Sequence, residues 1–138
     1  MTLGIKNNNP SNIRWSALNH WKGQIGQSKG FCRFVTVEHG VRALLYLLRK
    51  YCYMYGCNTI EKIITRFAPP NENHTSIYID FISKIIKFPK DKSLNLDFYS
   101  DYQGTQLYLL CCAICMYESQ YHLDFATYKR ALKLLHDK

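Results

Sequence analysis

The sequence has no apolar run long enough to cross a membrane. The longest, residues 107–117, is well short of the ~20 residues that a spanning helix needs. The opening "MTLGIKNNNPSN" has no apolar centre of the kind a secretion leader carries. The expectation is a chain made in the cytoplasm without a signal peptide, which something else must carry if it works outside. Acidic residues are scarce, 10 Asp and Glu against 18 Lys and Arg, and the net charge is +8. The positive charge is spread from Arg14 to Lys138, which favours an anionic partner: nucleic acid, a lipid surface or the acidic bacterial wall. No second CxxC and no HxxxH pair accompanies "CAIC" at residues 112–115, so no zinc set is completed and no metal is expected. Internal repeats, low-complexity tracts and a second domain are also missing, and residues 1–138 read as one domain.

Aromatic residues are plentiful: eleven Tyr, seven Phe and two Trp. They suit a packed core, and equally a groove that stacks on flat ligands such as sugars or bases. The six cysteines, at 32, 52, 57, 111, 112 and 115, read as small core residues of a chain kept in a reducing compartment. A Cys52–Cys57 disulfide is the alternative.

Residues 7–36 are rich in Asn, Gly and Ser, with aromatic strand-like pieces such as "GFCRFVT", and predict two or three short strands or an irregular hairpin. From Val37 the period becomes helical: Val41, Leu44, Leu45, Leu48, Tyr51, Cys52 and Tyr55 share a stripe that Gly56 stops. A second helix is predicted with Asn58 as its cap, Glu61 returning a bond, and Ile60, Ile63, Ile64 and Phe67 facing inward. Pro69-Pro70 ends it, because neither donates a backbone N–H and each restricts the residue before it. A third helix is expected from about His74 to Ile86, an amphipathic run with Ile77, Phe81 and Ile85 on one side. Residues 104–118, apolar on almost every face, predict the central buried helix. A last amphipathic helix starts near Asp124 and carries Phe125, Tyr128, Leu132 and Leu135. The class is mainly α (α+β), with a small β region near the N-terminus.

Four segments can carry chemistry. "NNNPSNIRW", residues 7–15, is either a well-capped loop or a ligand-facing segment in which Asn12 and Arg14 meet amides, hydroxyls or carboxylates. "HWKGQIGQSKGFCRF" sets Trp21 beside flexible glycine turns, which suits a sugar platform or a hairpin with a packed Trp. "APPNENHTSIY" is either a stiff turn capped by Asn73 or Thr75, or a loop that holds Glu72 and its amides over a ligand. At the positive end of the following helix Glu72 would stay ionised, as an acceptor or charge stabiliser. In "CCAICMYESQYH", Glu118 ends the apolar helix. Either it emerges into solvent, or it is partly desolvated; burial would then raise its pKa, as a glycosidase general acid needs.

Taken in this order, "NNPSNIR", "WKGQIGQSKGFCRF", "EHGVRALLYLLRKY", "TIEKIITRFAPPNENHTSIYIDFI" and "AICMYESQY" resemble a family of phage and prophage virion structural proteins and lysozyme-like peptidoglycan hydrolases. The resemblance runs from Asn8 to Tyr121, and "APPNEN-T--Y" is its most specific part. This chain departs from the pattern with His74 in place of an acidic residue and Gln120 in place of a glycine. The pieces are also similar to those of lytic transglycosylases and flagellar-type glucosaminidases in permuted order, with the hairpin first and the Glu-bearing helix late.

The resemblance implies a lysozyme-like fold of about five helices with a small N-terminal β-hairpin. It implies cleavage of the β-1,4 glycan strand of peptidoglycan between N-acetylmuramic acid and N-acetylglucosamine. Glu118 takes the catalytic place, with "NNPSNIRW" across the cleft from it. Glu118 would protonate the leaving oxygen, then act as base on water (a lysozyme) or on the muramic 6-hydroxyl (a lytic transglycosylase). A two-carboxylate route needs a partner acid, for which Glu72, Glu38 and Asp124 are the candidates. Asn12, Arg14, Thr75 and Tyr78 would bind N-acetyl, hydroxyl or peptide carboxylate groups, with Trp21 as a stacking surface. No metal or organic cofactor is implied. The implied partner is peptidoglycan, with virion or secretion-apparatus components, and the chain would reach the wall by virion, holin or secretion-system delivery, the last as an antibacterial effector. Two rivals remain: a non-catalytic virion structural or wall-binding protein of the same fold, and a nucleic-acid-binding module. The second is disfavoured by its dispersed cations and by the lack of a recognition helix or Gly-aromatic RNA motif.

Overall fold

Residues 1–137 are described by the computed structural model. Their order is α1 (Leu3–Lys6), β1 (Gln24–Ser28), β2 (Phe31–Phe34), α2 (Val37–Tyr55), α3 (Ile60–Phe67), α4 (Thr75–Ile86), α5 (Gln106–Ser119) and α6 (Phe125–His136). The protein is mainly α, with a single small antiparallel hairpin among the described residues.

The helix limits follow from capping chemistry. Thr36, Thr59, Thr105 and Asp124 each stand just before a helix and accept a bond from the backbone N–H three residues on. Gly56 closes α2 in the left-handed conformation, and Pro69-Pro70 follows the end of α3 at Ala68. The cap of α3 is therefore Thr59 and not Asn58, whose amide turns instead to the Ser93 hydroxyl. Helix α4 departs most from expectation. Ile77 and Ile85 point outward, 61% and 51% exposed, while Tyr78, Ile79 and Ile82 form the buried face. The helix is apolar on too many sides for period alone to choose the inner one. Neither Asn73 nor Thr75 caps it. His74 holds the cap position without a side-chain bond, and the Thr75 hydroxyl donates back to the Ala68 carbonyl.

Helix α2 packs along α6, α4 along α5, and α3 bridges α2 and α4. Helix α5 is buried on most of its surface, through Leu107, Leu110, Cys111, Ala113, Ile114 and Cys115. Each fully buried Leu or Ile contributes about 1.5–3 kcal/mol of transfer free energy, so this shared core sets the relative placement of the helices. A second, smaller cluster of Ile13, Cys32, Phe34 and Ala43, with Trp21 and Leu47 against it, seats the hairpin on α2. The strands pair with an irregularity between Gln24 and Gly26, and Arg14 adds a bridge to Phe31. All six cysteines are free, four of them buried, and Cys52 and Cys57 are not joined. No described helix is long and apolar enough to cross a membrane.

Candidate functional site

The segment "NNNPSN" forms one wall of the site, and three of its asparagines have distinct jobs. Asn9 is fully buried. Its amide donates to the carbonyls of Ile13 (3.0 Å) and Cys32 (2.9 Å), and its oxygen accepts from the Ile13 N–H, stapling the loop to β2. Asn8 and Asn12 have left-handed backbones, φ 53° and 52°, which asparagine tolerates better than most residues. Gly40 lets the loop lie flat on α2, because a β-carbon there would run into the Asn8 carbonyl. The turn at Asn12 aims its amide at the end of α5, where Nδ2 donates to the Glu118 carbonyl (2.9 Å) and reaches Glu118 Oε1 (3.4 Å).

The one-turn helix α1 braces the same place from behind. Thr2 donates its hydroxyl to the Ser119 carbonyl at 2.7 Å. Gly4 lies so close to α5 that an added methyl would collide with the Ser119 hydroxyl and come within 2.9 Å of the Asn12 amide oxygen. Helix α5 then stops at Gln120, whose φ of 53° turns the chain away. Glu118, in the last turn, is left half-buried at a cleft of about 370 Å³. Asn12, Arg14, Glu72, Asn73 and Glu118 supply its polar lining, and Phe31, Leu47, Tyr51 and Phe67 its apolar lining.

Burial pushes the Glu118 carboxyl above its ordinary pKa; Tyr78, Asn12 and the Arg14 charge pull part of the way back. Tyr78 is 1% exposed and stacks on Tyr117, with ring centroids 3.8 Å apart. Its hydroxyl faces Glu118 without closing to ordinary hydrogen-bond geometry, and its own pKa is pushed well up by burial and by that carboxylate. Tyr78 therefore acts on Glu118 and cannot itself touch a ligand. Thr75 is buried and its hydroxyl is occupied by Ala68, so it is unavailable too. Trp21 lies outside the cleft, edge-on to Tyr46 at 5.5 Å in a neighbouring depression.

Of the three candidate partner acids, only Glu72 is in the cleft. Glu38 is held by Arg130 at 2.7 Å, which lowers its pKa, and Asp124 caps α6. Glu72 meets Arg14 across the rim at 3.9 Å, with side chains 50% and 62% exposed. So exposed a pair is worth about 0–1 kcal/mol. Arg14 also sits over the Phe31 ring at 5.4 Å. Asn73 does not cap α4; it lines the cleft while its amide donates to the Pro69 carbonyl. Tyr51 and Phe67 were legible only as helix-face residues, since nothing in their spacing separates lining from core.

A larger, shallower depression of about 680 Å³ lies near Tyr55, Glu61, Lys62, Arg66 and Asp91, but its acidic residues are exposed. Among the described residues, no group of three or more His, Cys, Asp or Glu is placed to hold a metal ion. What the cleft offers chemically is a carboxylic acid that keeps its proton to higher pH than usual, beside amide and guanidinium donors and a second carboxylate.

No protein-family model matches the chain. It is similar to Protein P5 of Pseudoalteromonas phage PM2, with 38% identity over 100 residues, 70% of this chain. The matched region spans 62% of that protein's length.

Proposed function

We propose that the chain cleaves the glycan strand of peptidoglycan, with Glu118 as the general acid and base. The observation that carries this reading is the half-buried Glu118 carboxyl, raised in pKa, in a cleft that also presents Asn12, Arg14, Glu72 and Asn73. Glu118 Oε gives its proton to the glycosidic oxygen as the C1–O bond breaks, and charge builds at C1. The resulting carboxylate then takes a proton from the attacking hydroxyl. If that hydroxyl is the muramic 6-OH, the product is a 1,6-anhydro sugar; if it is water, the product is a reducing end. Glu72 supplies the second carboxylate that the hydrolytic route calls for. Asn12 both orients Glu118 and favours its ionised form after transfer, while Arg14 does so electrostatically. The similarity to a phage protein fits delivery to the bacterial wall with a virion, a holin or a secretion apparatus. The net charge of +8 would hold the protein to an anionic wall, less so as salt rises.

The test is incubation of the purified chain with cell-wall sacculi and analysis of the released fragments. Release should fall about 10²–10⁴-fold in Glu118→Gln. Anhydro-muramyl ends identify the intramolecular route and reducing ends the hydrolytic one. Binding without release, unchanged in the variant, would move the chain to the non-catalytic wall-binding class.

A further inference from the structure

Directly beside the cleft, and sharing Leu47 with it, is a second depression of about 300 Å³. It is lined by Asn19, His20, Trp21, Lys22, Arg42, Tyr46 and Lys50, with three permanent cations and no carboxylate. Residues 42, 46 and 50 follow one another at four-residue steps on α2, so their side chains share one face of that helix. Arg42 and Arg49 both stack on the Tyr46 ring, at 5.7 and 5.5 Å, and Trp21 meets its edge. None of Lys22, Arg42, Arg49 and Lys50 forms an ion pair with a described residue. The Arg42 Nε–H is buried without an acceptor among the described residues. Burial and the neighbouring Arg49 charge lower the pKa of Arg42, and His39 is lowered by burial and by Lys22 and Arg42. A fold that brings cations together against their repulsion, with no carboxylate to answer them, is set up for an anion from outside.

We propose that this depression is a subsite for the carboxylates of the peptide branches that hang from the glycan. The inference rests on the glycan-cleaving reading of the adjoining cleft. A polymer whose sugars lie against Glu118 would place a branch on the Leu47 side, within the furrow that continues along α2. There Arg42 and Lys50 take a carboxylate, Lys22 a further one, and Tyr46 and Trp21 pack against the aliphatic parts of the branch. The chain then prefers glycan that still carries its peptides over bare glycan.

The test uses Glu118→Gln protein, which binds without turning over, with sacculi either intact or stripped of stem peptides by an amidase. Intact sacculi should bind about tenfold more tightly than stripped ones, the scale of a charged hydrogen-bonded contact. Adding the exposed Lys22→Gln and Lys50→Gln changes should remove that preference while leaving binding to stripped glycan unchanged. Arg42→Gln should do the same, and the two lysine variants keep the test valid if Arg42→Gln does not fold. Equal binding to both substrates, or a preference that survives the substitutions, overturns the subsite. Fragment release by wild-type protein is scored separately, so release without preference refutes the subsite alone, and absence of both refutes the cleavage reading as well.

Discussion

Gly4→Ala is a one-methyl test of how Glu118 is positioned. The added carbon would overlap the Ser119 hydroxyl, lie 2.8 Å from Ser119 Cβ and 2.9 Å from the Asn12 amide oxygen, distances that real β-carbons do not show. Ser119 Oγ and Asn12 Oδ1 are both buried without a partner, so neither can swing into solvent to make room. Overpacking of this kind costs about 1–3 kcal/mol. For 138 residues the unfolding entropy near the midpoint is about 0.3 kcal/mol per kelvin, so Tm should fall by about 3–10 °C. Because the collision pushes α1 and the Asn12 loop off the end of α5, fragment release should fall as well. Ser119→Ala removes the atom struck first. The pair Gly4→Ala/Ser119→Ala should therefore recover part of the loss, giving a coupling of about 0.5 kcal/mol or more in a double-mutant cycle. Calorimetry on the four proteins measures this. A Gly4→Ala protein within 0.5 kcal/mol of wild type, or a cycle that is strictly additive, would refute the proposed brace.

Two further predictions follow the charge and backbone of the same helix end. The folded-state pKa of Glu118 is raised, so the folded chain holds that proton more tightly than the unfolded chain does. The resulting stability is complete below the unfolded carboxyl's range and is lost as pH rises through the folded value. Glu118→Gln, which cannot ionise, should gain on wild type as pH rises above the ordinary Glu value of about 4.3, and the gap should close in acid; denaturant melts at acid and neutral pH check the sign. Gln120 stands in a left-handed position, φ 53° and ψ 33°, with an exposed side chain. Gln120→Gly should stabilise by about 0.5–1 kcal/mol, raising Tm by about 2–3 °C in a thermal melt.

The parts of the fold that the sequence made legible are those where one apolar stripe stands against a polar background. Helices α2 and α6 show this; α5 was legible for the opposite reason, since a helix apolar on almost every face belongs at the centre. Helix α4 was found but turned the wrong way, since Ile77 and Ile85 spend their apolar surface on solvent while Tyr78 goes inside to meet Tyr117. Helix α1 is a single turn, too short for any period to register, and its place is set by Thr2 and Gly4 against Ser119. At the site, Asn12, Arg14, Glu72 and Glu118 are brought to one cleft from three separate stretches of chain. Residue type nominated them, but only the packing of α5 between the N-terminal loop and α4 shows that they meet. Thr75 and Trp21 show the opposite outcome. Each is the right kind of residue for a sugar, but Thr75 is taken up by a backbone carbonyl and Trp21 by a tyrosine ring in the adjacent furrow.

The interior thiols turn the molecule into its own stopwatch. Cys32, Cys57, Cys111 and Cys115 are buried, and burial holds the thiols of Cys32, Cys111 and Cys115 in the unreactive neutral form. A maleimide can label Cys111 or Cys115 only when the middle of the helical bundle comes apart. The rate at which those two acquire a mass tag therefore times whole-molecule opening, while Cys52 and Cys112, nearer the surface, should be tagged first and report only local loosening.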